Sequence, residues 1–297
     1  MNENNTSNKM ATIRPNIVML LFFLFVVIAP TFFTSWLDNR GGVHDLIIHA
    51  VFIVELVTIP VLLYLLITRQ KPKSVLSLSS LGLKNGLYIT GLSLATVPII
   101  SLLIYGSISF GGRNYIEMPT FHTIWLGIVT GGIIIATFEE LFFRGPVFHE
   151  YRRQGVSFWK IALITSLFFG IAHSGIIQIS YTAVWAFIMA FVLYITRSIW
   201  APILSHIIGN TLGHVLNPMY YVDSYVDFRD VLPTYLIVMG VVAVIMLPVG
   251  IICWKKLVAN NPRCEEKPAA ESKAFTISYW VLLVIILALT ILREVNS

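Results

Sequence analysis

The sequence predicts an all-α fold, a polytopic transmembrane helical bundle of about nine spans, and three observations carry that prediction. First, 57% of the 297 residues are hydrophobic and 12% are charged, with a mean hydropathy of +0.80, a composition that no water-soluble surface of this size sustains. Second, the apolar runs are each close to the roughly 20 residues a helix needs to cross hydrocarbon, and none alternates like a barrel strand. Third, the Lys and Arg residues collect in every second connection between runs.

In chain order, residues 1–16 are polar, rich in Asn, and carry Lys9 and Arg14, which suits a short disordered cytoplasmic start. The run 17–36 is too long for a signal-peptide core and has no small-residue cleavage site, so it is expected to remain as the first span. Further spans are expected at 45–67, 86–108, 122–143, 159–177, 179–196, 199–217, 233–254 and 275–292. The chain therefore divides into the polar start, N-terminal spans at 17–119, a core at 120–217, and C-terminal spans at 218–297. Within the last region, the polar segment 255–274 reads as a flexible linker that sets the final span apart.

With the N-terminus in the cytoplasm, the predicted inner segments hold 16 of the 20 Lys and Arg, among them Arg69, Lys71, Lys73, Lys84, Arg144, Arg152, Arg153, Lys160, Arg197, Lys255 and Lys256. Only Arg40, Arg113, Arg229 and Arg293 fall outside, which favours nine spans over an even number. The net charge of +5 is the ordinary cytoplasmic-leaflet bias and calls for no nucleic acid; the partner it implies is the lipid bilayer. Two cysteines, Cys253 and Cys264, offer no disulfide framework.

The polar residues inside the spans carry the functional signal. The stretch Thr137 to Phe148, T-F-E-E-L-F-F-R-G-P-V-F, sets two adjacent carboxylates among aromatic residues. Each costs about 2.5–3.5 kcal/mol at bilayer depth unless partnered or hydrated. On a helix Glu140 and Arg144 share a face in the favourable acid-before-base order, while Glu139 is turned by about 100° toward different surroundings. Gly145 and Pro146 are then expected to break the helix. Phe169 and His173 repeat the four-residue spacing in F-G-I-A-H, as do His206 and Asn210 in H-I-I-G-N, whose face continues to His214. Taken singly, these are a snorkelling charge cluster and histidines bonded to neighbouring helices. Three helices each presenting such a pair point instead to a site. A water between a carboxylate and an imidazole is the minimum apparatus for general-base hydrolysis, and a second imidazole with an amide donor stabilises the oxyanion. Alternatively Glu139, His173 and His206 form a His₂Glu zinc set with the fourth position left for water, and Asn210 orients His206 or serves the oxyanion.

The three stretches E-E-L-F-F-R-G at 139–145, F-G-I-A-H at 169–173 and H-I-I-G-N at 206–210 resemble the motifs of the CPBP family, intramembrane endopeptidases related to the type II CAAX prenyl protease. The resemblance covers residues 120–217. It implies that Glu139 is the catalytic base, Glu140 and Arg144 its structural partners, His173 a second water-activating residue, and His206 with Asn210 the third motif's site pair. It leaves both a zinc-dependent and a metal-free mechanism open, together with the choice among prenyl-protein processing, bacteriocin immunity and signal-peptide maturation. It also implies a bacterial cytoplasmic membrane as location.

Competing hydrolases lack their motifs. There is no G-x-S-x-G, His149-Glu150 is followed by Tyr-Arg-Arg rather than by the second histidine of H-E-x-x-H, and every aspartate (Asp38, Asp45, Asp223, Asp227, Asp230) is expected in a loop. His149 is also expected in a cytoplasmic loop. Glu55, in the second span with His49 nearby, is expected to make a helix-packing hydrogen bond; His44 and His122 read as interfacial. The expected activity is hydrolysis of a peptide bond in a membrane-associated protein or peptide. A peptide-binding or immunity protein without proteolysis, and a proton-coupled transporter, are the alternatives.

Overall fold

The apolar runs fold into helices because a span buried in hydrocarbon must satisfy its backbone internally. The computed structural model describes residues 16–20, 54, 58–111, 121–173, 176–216, 228–262 and 277–295. Among these residues there is no strand. We label the helices α1 (Thr58–Thr68), α2 (Leu83–Gly111), α3 (Phe121 to Arg153, in five consecutive segments), α4 (Phe158–Ala172), α5 (Ile176–Thr196), α6 (Trp200–Val215), α7 (Phe228–Asn260) and α8 (Ile277–Val295). Four stretches within them are long and apolar enough to cross a membrane: Leu83–Gly106, Ile124–Arg153, Gln178–Thr196 and Asp230–Asn260. The expected spans from 86–108 onward all have a helical counterpart. The span 17–36 lies largely outside the described residues, as do residues 1–15, Glu55, His44 and His49.

The bundle is held by close helix approach, the usual device where lipid offers no hydrophobic drive. On α7, a Cβ at Gly250 would stand 2.9 Å from that of Ala95 on α2, so this crossing requires a hydrogen there. At the ends of the same two helices, Asn260 and Asn261 both donate to Asn85 Oδ1, at 2.7 and 2.9 Å. Helix α6 lies against α2, α3 and α5, and the buried hydroxyls of Ser93 and Ser205 join it to α2 at 2.9 Å. The outer face of α7, with Ile237, Val241, Val244 and Ile245 exposed, has the character of a lipid-facing surface.

One end of the bundle gathers most of the described basic residues. The carbonyl of Arg197 accepts from Ser79 Oγ, Ser198 Oγ donates to Ser79 O at 2.6 Å, and Ile199 N–H donates to Ser77 O at 3.1 Å. Gln70 Oε1 lies 2.8 Å from His149 Nε2. These bonds, with the Asn85 cluster, bring the C-terminal ends of α1, α3, α5 and α7 level with the N-terminal ends of α2 and α6.

The expected break at Gly145 and Pro146 is present: Gly145 is non-helical (φ −82°, ψ −109°) and the backbone kinks there before a helix resumes through Arg153. Several other expectations need correction. Arg144, just before the kink, is buried and not in an inner connection. His149 lies on the last helical turns rather than in a loop, and Asp230 lies in the first turn of α7, exposed. Residues 255–260 are helical, so the polar linker begins later than 255. Helix α8 is not set apart: Tyr279 packs edge-on against Phe168 of α4 at 5.9 Å, and Leu282 and Ile286 enter the main core.

Candidate active site

The site is built on the middle of α3. The helix widens into a π segment over Ile128–Ile135, returns to α geometry for Ala136–Phe142, and kinks at Gly145. Both carboxylates thus sit on a short α-helical stretch between a π segment and a kink, and π segments recur at functional sites because a π turn re-aims side chains and frees carbonyls. The freed group is visible: Gly131 O, inside the first π segment, accepts from Asn210 Nδ2 on α6 at 3.1 Å.

Glu140 is fully buried and ionically paired. Its Oε1 accepts from Arg144 Nη1 at 3.1 Å and from His206 Nδ1 at 2.9 Å. Arg144 also donates through Nη2 to the Ala186 carbonyl of α5 at 2.7 Å and stacks its guanidinium 5.1 Å over the Phe169 ring. A cation so enclosed by one carboxylate, one carbonyl and one aromatic face is a structural pivot joining α3, α4 and α5.

Glu139 faces elsewhere, as the 100° offset on a helix requires. Its Oε1 is 3.8 Å from His173 Nε2 and its Oε2 is 3.8 Å from His206 Nε2, beyond direct hydrogen-bond reach. Both imidazoles have their other nitrogen tied. His173 Nδ1 lies 2.8 Å from the Phe169 carbonyl, and His206 Nδ1 lies 2.9 Å from Glu140 Oε1. A carbonyl and a carboxylate can only accept, so each Nδ1 carries the hydrogen, and in its neutral form each ring presents the lone pair of Nε2 toward Glu139. Two nitrogen lone pairs and a carboxylate converge on one point. That point requires a donor or a cation.

Water meets this requirement: it donates to Glu139 and to one imidazole and leaves its own lone pair directed outward. A divalent metal is the other candidate. Two imidazoles and a carboxylate are the right donor types for zinc, and no three-ligand metal cluster is closed among the described residues.

Beside these groups lies a cavity of about 580 Å³, walled by Phe169, His173, His206, Asn210 and His214 and by residues of α2 and α5 such as Tyr105, Tyr181 and Trp185. Glu139, 17% exposed, is not part of that wall. The structure thus brings Glu139, Glu140, His173 and His206 into one cluster with Arg144 and Phe169, and places Asn210 one turn along α6, on the cavity.

Three contributors had no sequence signal or a weak one. Ala186 acts through its backbone carbonyl, which no side-chain pattern reveals. Trp185 lies against Gly209, where any Cβ would collide with the indole, and its buried Nε1 has no partner. Glu150 is buried and accepts from Tyr64 Oη at 2.5 Å and from Arg153 and Gln154 at 3.1 Å each; an acid on the same rod as Glu140 was its only clue.

Fold and cluster together place paired carboxylates and imidazoles inside an apolar helical bundle, and comparison with known proteins adds a family-level likeness. Residues 121–212 match the family model described as type II CAAX prenyl endopeptidase Rce1-like, bearing out the resemblance to the CPBP family over the stretch that contains every site residue. The chain is also similar to a protein of Bacillus subtilis (strain 168) described as "Putative membrane peptidase YdiL", 27% identical over 155 residues, which is 50% of this chain and 63% of that relative. The chain thus spans about three-fifths of the length of the curated relative it matches. No solved structure matches it.

Proposed function

We propose that the chain is an intramembrane endopeptidase that hydrolyses a peptide bond in a membrane-associated protein or peptide, with water activated between Glu139 and the imidazoles of His173 and His206. The observation that carries this reading is the convergence of two Nε2 lone pairs on the Glu139 carboxylate, each 3.8 Å away. Glu139 takes a proton from the water as its oxygen adds to the substrate carbonyl carbon. Negative charge moves to the carbonyl oxygen. Asn210 uses one amide hydrogen on Gly131 O, and its second is the donor for that oxyanion. The proton held by Glu139 then passes to the amide nitrogen as the C–N bond breaks, which releases an amine and a carboxylic acid and restores the base; the acid's own proton then passes to the amine or to water, leaving a carboxylate.

Glu140 and Arg144 act earlier, by fixing the His206 tautomer and ring orientation, as carboxylate partners of functional imidazoles do. A metal held by Glu139, His173 and His206 would supply Lewis acidity at the same point; the hydrolysis described above needs only the side chains. The test is a comparison of membrane-protein termini in cells producing the wild type or Glu139→Gln at equal levels. The reading expects specific new termini with the wild type and accumulation of their uncleaved precursors with the variant. Identical sets of termini would refute it.

A further inference from the structure

The cavity beside the imidazoles keeps a bare patch on α6. Gly209 and Gly213 stand about one turn apart on that helix, and both line the cavity. Packing accounts for the first, because a Cβ at Gly209 would collide with the Trp185 indole. Nothing packed accounts for the second: Gly213 is exposed, and a Cβ there would meet no atom of the described residues within 4 Å. A glycine inside a helix is less stable than alanine, so the bare position has a cost that no neighbour explains. Asn210 stands three residues before Gly213 and His206 seven, which puts all three on one side of α6 and on the wall of the same cavity. What fills the space therefore lies against the groups beside Glu139.

The rest of the wall sets the chemistry of the occupant. Val97, Ile100 and Ile104 of α2 and the rings of Tyr181 and Trp185 of α5 line it, and no Asp, Glu, Lys or Arg does among the described residues. A charged side chain placed here would find no opposite charge inside an apolar bundle, whereas a large apolar or aromatic one would bury its surface. The volume of about 580 Å³ falls within the roughly 300–1,000 Å³ of ordinary ligand sites. We propose that the cavity receives a bulky uncharged side chain of the substrate, next to the bond that is cut, and that Gly213 sets the size it accepts. That the occupant belongs to a substrate rests on the hydrolytic reading; the chemistry of the wall does not.

The test reads occupancy and not cleavage. Capped alanine nonapeptides with one photo-leucine at the centre are offered to the full chain carrying Glu139→Gln in phosphatidylcholine nanodiscs, irradiated, and mapped by mass spectrometry. Crosslinks are expected on the cavity segments 97–105, 178–185 and 209–214. A competitor with central Phe should suppress them at a concentration at least about tenfold lower than competitors with central Lys or Asp. Gly213→Leu should reduce crosslinking at least about tenfold, and Gly213→Ala, which adds one methyl, should reduce it less. Gly240→Leu, at a glycine of α7 that also has no described neighbour within 4 Å, should leave it unchanged. Equal competition by Phe, Lys and Asp, crosslinks outside those segments, or full crosslinking in a Gly213→Leu chain that melts like its parent would overturn the proposal. So would equal suppression by palmitate, which would make the occupant a hydrocarbon chain. Failure here is separable from failure of hydrolysis: unchanged membrane termini with the expected crosslinks would refute cleavage and leave a peptide-binding cavity, whereas specific termini with misplaced crosslinks would refute this proposal alone.

Discussion

Two neighbouring glutamates do different work because a helix turns about 100° per residue. Glu140 points at Arg144 and His206 and is sealed from solvent; Glu139 points at two imidazole lone pairs and keeps some exposure. A buried ion pair contributes little net stability, yet removing one member strands the other. Glu140→Gln or Arg144→Met alone should therefore destabilise the protein by about 3–5 kcal/mol. The double variant should recover a clear part of that loss, because no charge is left unpaired. Thermal melts of the three variants in one detergent check this, and a double variant no better than the worse single one would show that the pair is not coupled. The pairing of Glu140 with Arg144 was legible from their four-residue spacing. The direction of each imidazole was not, because it depends on a main-chain carbonyl in one case and on a carboxylate from another helix in the other.

At the scale of elements, the positions of the helices from 83 onward were readable from apolar run length, while their ends and joins were not. The break at Gly145-Pro146 was readable from the two residue types, and Gly145 is non-helical there. What was not readable is that a helix resumes through Arg153, which puts His149 and the buried Glu150 on helical turns and not in a loop. Packing between α2 and α7 gives a direct check on helix approach. Gly250→Ala places a methyl 2.9 Å from the Ala95 Cβ, which has no rotamer by which to retreat. The substitution should cost about 1–3 kcal/mol despite the better helix propensity of alanine, and Ala95→Gly in the same chain should relieve most of that strain. A Gly250→Ala protein as stable as wild type would mean the two helices are not in this contact.

For the whole molecule, most of the described basic residues mark one end of a helical bundle, and we propose from the positive-inside rule that this end faces the cytoplasm. With Cys253 and Cys264 replaced by Ser, a cysteine at exposed Lys73 should resist an impermeant maleimide in intact cells and react once the cells are opened. Labelling in intact cells would invert the orientation and leave the site unaffected. The site itself lies well inside α3, whose apolar stretch Ile124–Arg153 has 30 residues. On the proposed reading, a polypeptide must therefore enter the bundle to be cut.

The central proposal is that Glu139, beside two imidazoles, is the base that activates the hydrolytic water. With a substrate identified from the comparison of membrane termini, its most direct test is turnover by wild type and by Glu139→Gln, with thermal melts of both in one detergent. The account predicts a normally folded Glu139→Gln at least about a hundredfold slower, the usual loss when a general base is removed. Near-wild-type turnover by a normally folded Glu139→Gln would contradict it.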